Sequence, residues 1–482
     1  MGHSVSKGLL PVPSGPYSVG CGDIMTAEPP HEGGVFCRLF YPIARTNIAK
    51  RLDECVPWLP RVEYRQGYAD FLSVNYRIHR FGFDLIIGDT RSPALLHEKL
   101  APRTSGTSFP CVLFSHGLGA CRSTYSTICA EIASHGFVVA AVEHRDKSAC
   151  LSYWRRPAAL KRTTSADSNH SYMFVLCFPA IHVIACFRDK SACLSYWRRP
   201  AALKRTTSAD SNHSYINSAT VNNEHKLEDV WFRYQKYPVT GSDEEFKFRN
   251  RQLRQRVEEV RLTYHLLEAI NLGRPINNIM YDPSEDQGPG GATMTTTKKS
   301  FDLAQFKGAI DLSKTAVVGH SYGGGTVLGV LAADTDFKVG VVLDGWMFPL
   351  DKSSLHSITQ PVLFINADNF HWQANVDVMK MVIHNNSGTT GGIADGTATS
   401  NENSTMPYDI AARSSESLCN EKRLVTILGT VHASQCDFAF VGSSSPRLAS
   451  FLKIRGTIDP HICNTINNEL MMSFIRQHLS EY

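Results

Sequence analysis

Residues 315–325 read TAVVGHSYGGG. The apolar run Ala316–Val318 has the composition of a buried strand and leads without a break into Gly319-His320-Ser321-Tyr322-Gly323, a G-x-S-x-G pattern. Between a strand and a helix this pattern is a nucleophile elbow. The turn is so tight that side chains at the flanking positions would collide, so glycines fill them, and the strained turn lifts the serine hydroxyl above the sheet. Ser321 is the candidate nucleophile. The pattern alone is weak, since ordinary Gly-rich turns also match it. Here the apolar, helix-compatible segment 326–333 (TVLGVLAA) completes the context that the chemistry requires.

Working toward the N-terminus, residues 110–114 (PCVLF) read as a strand that ends in Ser115-His116-Gly117-Leu118-Gly119-Ala120. A Gly-rich turn at a strand end leaves backbone N–H groups available to an oxyanion, and Leu118 is the candidate first donor. Residues 123–134 read as a helix and 137–142 (FVVAAV) as the next strand. That β-turn-α rhythm predicts a mostly parallel sheet with helices on both faces. Residues 35–41 (VFCRLFY) and 83–87 (FDLII) are expected to form the antiparallel start of the sheet.

Toward the C-terminus, 244–270 has helical period, with Val257, Val260, Leu262, Leu266 and Leu267 on or near one face. Strands are expected at 339–343, 361–366 (PVLFIN) and 424–428 (LVTIL), with a closing helix at 466–479. Residues 282–299 read as a loop, and 385–420, rich in Ser, Thr, Gly and Asn, as a disordered insertion. A chain of 482 residues on this plan is expected to form one α/β-hydrolase domain with insertions.

One insertion is marked by repetition. The stretch RDKSACLSYWRRPAALKRTTSADSNHSY at 145–172 recurs unchanged at 188–215. Identical copies cannot occupy one environment beside a single sheet, and two copies do not make a solenoid. One copy, with the run MFVLCFPAIHVIACF at 173–187, is therefore read as a duplicated insertion over 173–215. The apolar run is too short for a membrane span, which needs about 20 residues, and it carries Pro179. A membrane-docking loop is the functional alternative.

Composition narrows the partners. Net charge is +4, with 49 basic residues interleaved among 45 acidic ones, which argues against nucleic acid. The thirteen cysteines form no C-x-x-C pair, so neither a zinc site nor a disulfide framework is indicated, and no metal or cofactor is expected. Reduced thiols fit a cytoplasmic setting. The N-terminus lacks the apolar core of a secretory signal, whereas Met1-Gly2-His3-Ser4-Val5-Ser6 matches the M-G-x-x-x-[ST] acceptor pattern for myristoylation at Gly2. Reversible membrane association is expected, with Leu9-Leu10-Pro11-Val12 and apolar residues at the mouth of the site as a second contact.

Acyl transfer by serine needs a base, a carboxylate to orient the base, and donors for the tetrahedral oxyanion. In α/β-hydrolases the members occur in the order Ser, Asp or Glu, His. Ser321 follows one expected strand, Asp344 the next and His432 the last, in that order, each at the carboxyl edge of the sheet. The backbone N–H groups of Leu118 and Tyr322 would form the oxyanion hole. His320 and His116 are expected to support their turns. Asp368, one strand after Asp344, is an equally placed rival for the acid.

The motifs GPYSVGCGDIM (15–25), FSHGLGACRSTYS (114–126), GFVVAAVEHRD (136–146), GHSYGGGT (319–326), LDGWMFPL (343–350) and GTVHASQCDFAF (429–440) resemble the platelet-activating factor acetylhydrolases. The similarity is to the serine-dependent plasma and intracellular type II group, and closer to the intracellular, lipid-modified form. It implies a calcium-independent phospholipase A2 that removes short or oxidised acyl groups from the sn-2 position of a phospholipid. It also implies that the acid is the Asp of LDGWMFP, Asp344, and not Asp368. A carboxylesterase or long-chain lipase of the same fold, and a non-catalytic lipid-binding protein, are the competing readings. Oligomeric state is not legible in the sequence.

Overall fold

The elbow forms as the sequence requires: Ile310–His320 is a strand, Tyr322–Ala333 is a helix, and Ser321 alone makes the turn between them. The computed structural model describes residues 8–26, 34–75, 87, 89–103, 106–157, 173–178, 181–186, 227–281, 301–384, 421–441 and 454–480. The strands are β1 (Ser18–Met25), β2 (Phe36–Ile43), β3 (Cys55–Pro57), β4 (Arg91–Leu96), β5 (Phe109–Ser115), β6 (Val138–Val142), β7 (Leu151–Pro157), β8 (Met173–Phe178), β9 (Ile181–Cys186), β10 (Leu227–Arg233), β11 (Ile310–His320), β12 (Phe337–Leu343), β13 (Val362–Ala367) and β14 (Lys422–Ile427). The helices are α1 (Glu63–Phe71), α2 (Ser126–Ser134), α3 (Asp243–Asn271), α4 (Tyr322–Ala333), α5 (Gln373–His384), α6 (Phe438–Val441) and α7 (Pro460–Leu479).

Ten strands form the central sheet in the order β14-β13-β12-β11-β5-β6-β2-β1-β4-β3. From β14 to β6 all neighbours are parallel, and β2 joins antiparallel to β6 and to β1. Alternation along β11 divides the core. Val317 packs with Leu113, Val342 and Phe364 against Val260 and Leu267 of α3 and Val327 and Leu331 of α4. Ala316 and Val318 face the other way, with Val112, Phe114 and Ile365, onto Ile128 and Ile132 of α2 and Met471 and Ile475 of α7. A strand buried on both faces has to be apolar throughout, which is why the run at 316–318 reads as it does.

Several expectations change. Of the strand expected at 83–87, only residue 87 is described, and Ile87 is helical. The antiparallel start is built by β1 and β2, with β4 and β3 beyond them. The β1 strand carries Gly20 and Gly22 because a Cβ there would lie 2.6 Å from the Tyr41 ring and 2.6 Å from the Phe301 ring. On α3, Val260, Leu266 and Leu267 are buried, but Leu262 points outward. Leu9 and Leu10 are buried, with Leu10 N–H donating to Arg91 O at 2.9 Å, so they cannot serve as a membrane contact; Val12 remains exposed. The first repeat copy supplies β7, which pairs antiparallel with β10. The apolar run after it holds β8 and β9, paired as a hairpin. Residues 187–226, which include the second copy, lie outside the described residues, as do Gly2, 282–299 and 385–420. Among the described residues, no helix is long and apolar enough to cross a membrane.

Candidate active site

Ser321 sits at φ +56°, ψ −117°, a conformation that costs an L-residue energy and persists only where its surroundings enforce it. The enforcement is visible. Ser321 N–H donates to Leu343 O at 2.9 Å, and Ser321 O accepts from Gly324 N–H at 2.9 Å and Trp346 N–H at 2.8 Å. A Cβ at Gly323 would lie 2.0 Å from Ser115 O, and one at Gly319 would lie 2.3 Å from Gly323 O. Only glycine lets the elbow seat against β5.

Asp344 and His432 meet across the sheet edge, with His432 Nδ1 2.6 Å from Asp344 Oδ2. Asp344 is fully buried, and its Oδ1 accepts from Ala367 N–H at 2.9 Å. Burial pushes its carboxyl above the usual range, against the opposing pull of His432 and the Ala367 N–H. Both carboxylate oxygens are thus committed, one of them to the imidazole. The exposed Asp368 instead accepts from Gly429 N–H at 3.0 Å, while the carboxylate contact of the His432 imidazole is to Asp344. The His432 ring is stacked on Phe370 at 3.9 Å between centroids and 16° between planes, and Phe370 in turn packs on exposed Trp372 at 4.6 Å. No hydrogen bond joins Ser321 Oγ to the imidazole, so the Ser–His link is the one member of the set left open; such links are often loose before substrate binds.

The oxyanion turn follows β5. A Cβ at Gly117 would fall 3.2 Å from Ser321 Cβ, so the turn abuts the serine. Gly119 N–H donates to Ser148 O, Ala120 N–H to Gly117 O and Gly117 N–H to Tyr125 Oη, whereas the Leu118 N–H donates to no group among the described residues. The Tyr322 N–H is likewise unused, as expected at the first position of a helix. Both expected donors are open among the described residues.

The histidines beside the site are structural supports. His116 Nδ1 contacts Gly117 O at 2.9 Å, and its Nε2 accepts from His144 N–H at 3.3 Å. His320 contacts Tyr125 Oη and His432 O. Burial drives both imidazoles well below their ordinary pKa, so they are held neutral. Donor atoms of His320, Asp344 and His432 lie within 4.8 Å of one another. His320 uses both ring nitrogens on Tyr125 Oη and His432 O, and Asp344 uses both oxygens on Ala367 N–H and His432 Nδ1, which leaves His432 Nε2 as the ring nitrogen open toward Ser321.

Three supports are not singled out by the sequence patterns. Arg256 of α3, fully buried, donates to His116 O at 2.6 Å and to Asp146 and Ser148, bracing the oxyanion turn from outside. Asp437 accepts from Ser126 N–H at 2.7 Å and Thr127 N–H at 3.1 Å, capping α2. Tyr125 lies between that cap and the elbow. Tyr125 and Asp437 fall inside the quoted motifs FSHGLGACRSTYS and GTVHASQCDFAF, so the signal was present without a role attached to it.

The family model described as platelet-activating factor acetylhydrolase, isoform II, matches residues 2–175 and 180–482. The chain belongs to this family. Among curated members, the platelet-activating factor acetylhydrolase of Gallus gallus is 30% identical over 98% of this chain and 84% of its own length. That of Bos taurus is 28% identical over 99% of this chain and 78% of its own. A putative phospholipase A2 of Schizosaccharomyces pombe is 24% identical over 92% of this chain and 83% of its own. A solved ferulic acid esterase from Streptomyces cinnamoneus superposes with a TM-score of 0.51 at 14% identity, covering 99% of this chain and 94% of that one, which shows a shared fold. In this acetylhydrolase family member the elbow, the buried acid and the open N–H pair all lie at the carboxyl edge of one sheet.

Proposed function

We propose that this chain is a serine esterase that hydrolyses the short or oxidised sn-2 acyl ester of platelet-activating factor and related phospholipids, without calcium, through Ser321, His432 and Asp344. The observation that carries the reading is the 2.6 Å contact of His432 Nδ1 with a fully buried Asp344 beside a serine strained at φ +56°. Membership of the acetylhydrolase family supports the substrate class.

In this mechanism Asp344 holds the proton on His432 Nδ1, leaving Nε2 to take the Ser321 proton as Oγ attacks the sn-2 carbonyl carbon. The developing oxyanion accepts the unused N–H groups of Leu118 and Tyr322. Collapse breaks the ester C–O bond, and the lysophospholipid alkoxide takes the proton from Nε2. Water then gives a proton to Nε2 and adds to the acyl-enzyme, releasing the short acid and restoring Ser321. Phe370, stacked on the ring, limits imidazole rotation between the two halves.

The lipid enters from a membrane or micelle, and the proposed location is the cytoplasm with reversible membrane contact. A myristoyl chain on Gly2 supplies only about 10⁴ M⁻¹, so a second contact is required. Trp372 and Leu428, 54% and 72% exposed at the ends of the strands that carry the acid rival and the base, are the apolar groups available for it. Fluorophosphonate labelling of wild type and Ser321→Ala, followed by an acyl-length series on phosphocholine esters, tests the proposal. Labelling that depends on Ser321 and a steep fall of kcat/KM with acyl length are expected. A flat or rising series would instead assign a general carboxylesterase or lipase. Trp372→Ala is expected to lower rates on vesicles but not on a soluble acetate ester, and Gly2→Ala to lower the membrane-bound fraction in cells labelled with myristate.

A further inference from the structure

The oxyanion turn, the elbow and the base loop are separated by hundreds of residues, yet one line of hydrogen bonds runs through all three. Gly117 N–H donates to Tyr125 Oη at 3.2 Å; Tyr125 Oη lies 2.8 Å from His320 Nδ1; His320 Nε2 lies 3.1 Å from His432 O. Each proton on this line is fixed by its neighbours. A backbone N–H can only donate, so Tyr125 accepts from Gly117 and has its own proton to give. The His432 carbonyl can only accept, so His320 carries its proton on Nε2 and leaves Nδ1 bare for the Tyr125 hydroxyl. For an imidazole kept neutral by burial, no other arrangement satisfies all three contacts.

We propose that Tyr125 and His320 are positioning residues for the esterase reaction, forming a relay that sets the oxyanion turn and the catalytic base in register and holds His320 as its Nε2–H tautomer. The proposal rests on Ser321 and His432 acting as nucleophile and base. Two further features support it. Tyr125 is anchored at the N-terminus of α2, where Asp437, five positions after His432, accepts from Ser126 and Thr127 while its own N–H donates to Thr124 O at 3.0 Å. The relay is thus clamped at both ends by the segment that carries the base. Second, the His320 and His432 rings lie 4.4 Å apart. His432 becomes a cation during the reaction, so a neighbour that can hold its carbonyl must remain uncharged. Burial, and secondarily the His432 charge, press His320 toward the neutral form. The ionisable groups facing it are Tyr125, His432 and Asp344.

The test compares Tyr125→Phe, His320→Gln and His320→Leu in the full-length enzyme on a soluble acetate ester, with thermal melts to show folding and Ser321→Ala alongside. A glutamine amide can accept from Tyr125 and donate to His432 O, whereas leucine keeps only bulk. Tyr125→Phe and His320→Leu are expected to lose about 10- to 100-fold in kcat, with KM changed less than about twofold, the usual size for one bond in a buried network. His320→Gln is expected to recover about tenfold of the leucine loss. In Tyr125→Phe the proton-free Nδ1 loses its donor, so His320 protonates more readily, and the acid limb of kcat against pH moves upward and steepens. Equal kcat for Gln and Leu with an unchanged pH limb would reduce both residues to packing and overturn the proposal. So would a loss confined to KM. Activity surviving in Ser321→Ala would overturn the parent reading instead, whatever the relay variants do.

Discussion

Among the described residues, two Ser–His–carboxylate sets near the carboxyl edge of the sheet share a short contact from histidine Nδ1 to a carboxylate oxygen. In one, His432 Nδ1 meets Asp344 Oδ2 at 2.6 Å beside Ser321. In the other, His144 Nδ1 meets Glu259 Oε2 at 2.7 Å and His144 Nε2 lies 2.8 Å from Ser115 Oγ. By distances alone the second is the more complete, since its Ser–His contact is closed. Its surroundings deny it chemistry. The Ser115 and His144 side chains are wholly buried, and Ser115 lies in the regular strand β5, not at a strained turn. The other set has a His432 side chain one-third exposed, a serine at positive φ, and two unused N–H groups beside it. The difference teaches that a triad of side chains is not a site. What makes one is access for the substrate, a strained nucleophile and donors with nothing else to bind. The buried set is a brace, tying the end of β5 to β6 and α3 so that the oxyanion turn starts from a fixed place.

That comparison can be broken by four measurements. The largest expected effect is Ser321→Ala against Ser115→Ala. The first removes the covalent route and should lower kcat by about 10⁶. The second leaves one buried imidazole nitrogen unpaired, about 1–3 kcal/mol of stability, with activity within about tenfold of wild type. Comparable losses in the two would erase the distinction. Next come the acids. Asp344→Asn favours the wrong tautomer of His432 and is expected to cost about 10⁴ in kcat, against about tenfold or less for Glu259→Gln and for Asp368→Asn. A reversal between Asp344 and Asp368 would move the acid to β13.

A smaller effect links the two sets, because the Gly323 position lies against Ser115 O at 2.0 Å from a Cβ. Gly323→Ala must push β5 and the elbow apart, and is expected to cost about 1–3 kcal/mol in a thermal or urea melt together with much of kcat, as overpacking does elsewhere. Unchanged stability would show that the elbow is not seated on the brace.

The smallest effect is a pH slope. His116, His144 and His320 are buried, and desolvation, with Arg256 acting on the first two and His432 on the third, sets their pKa values well below the ordinary 6.5. The unfolded chain therefore binds protons that the native state refuses once pH falls below about 6.5, so stability is full above that value and declines below it. Melting temperature should drop between pH 7 and pH 5, and His144→Gln should flatten the slope by its share. A slope identical to wild type would mean that His144 binds protons equally in the native and unfolded states, and that burial does not depress its pKa.

Legibility followed the range of the interaction. The N-terminal strands β1 and β4 escaped a periodic reading because SVGCGDIM carries glycines that make room for Tyr41 and Phe301, and RSPALL carries a proline; neither shows the alternation of a half-buried strand. The buried brace was equally hidden: Glu259 looked like one charge among many on α3, and only its contact with His144, far away in sequence, gave it a role. The duplicated stretch shows the limit from the other side. Its first copy supplies β7, and that place follows from pairing with β10, which no local pattern announces.

By itself the sequence determined whatever depends on neighbours along the chain. The elbow needs glycines at 319 and 323 on steric grounds, the apolar runs must be strands buried on two faces, and the order Ser321, Asp344, His432 at strand ends along the chain follows from the parallel rhythm. The tertiary structure alone decided which groups touch. Asp344 and Asp368 both end strands, but Asp344 is buried against the imidazole and Asp368 is turned out to Gly429. The line from Gly117 through Tyr125 and His320 to His432 joins three separate parts of the chain. The physical reason is that backbone sterics act over a few residues and leave their mark in local composition, whereas hydrogen bonds between distant strand ends exist only once the sheet has packed and brought those ends together.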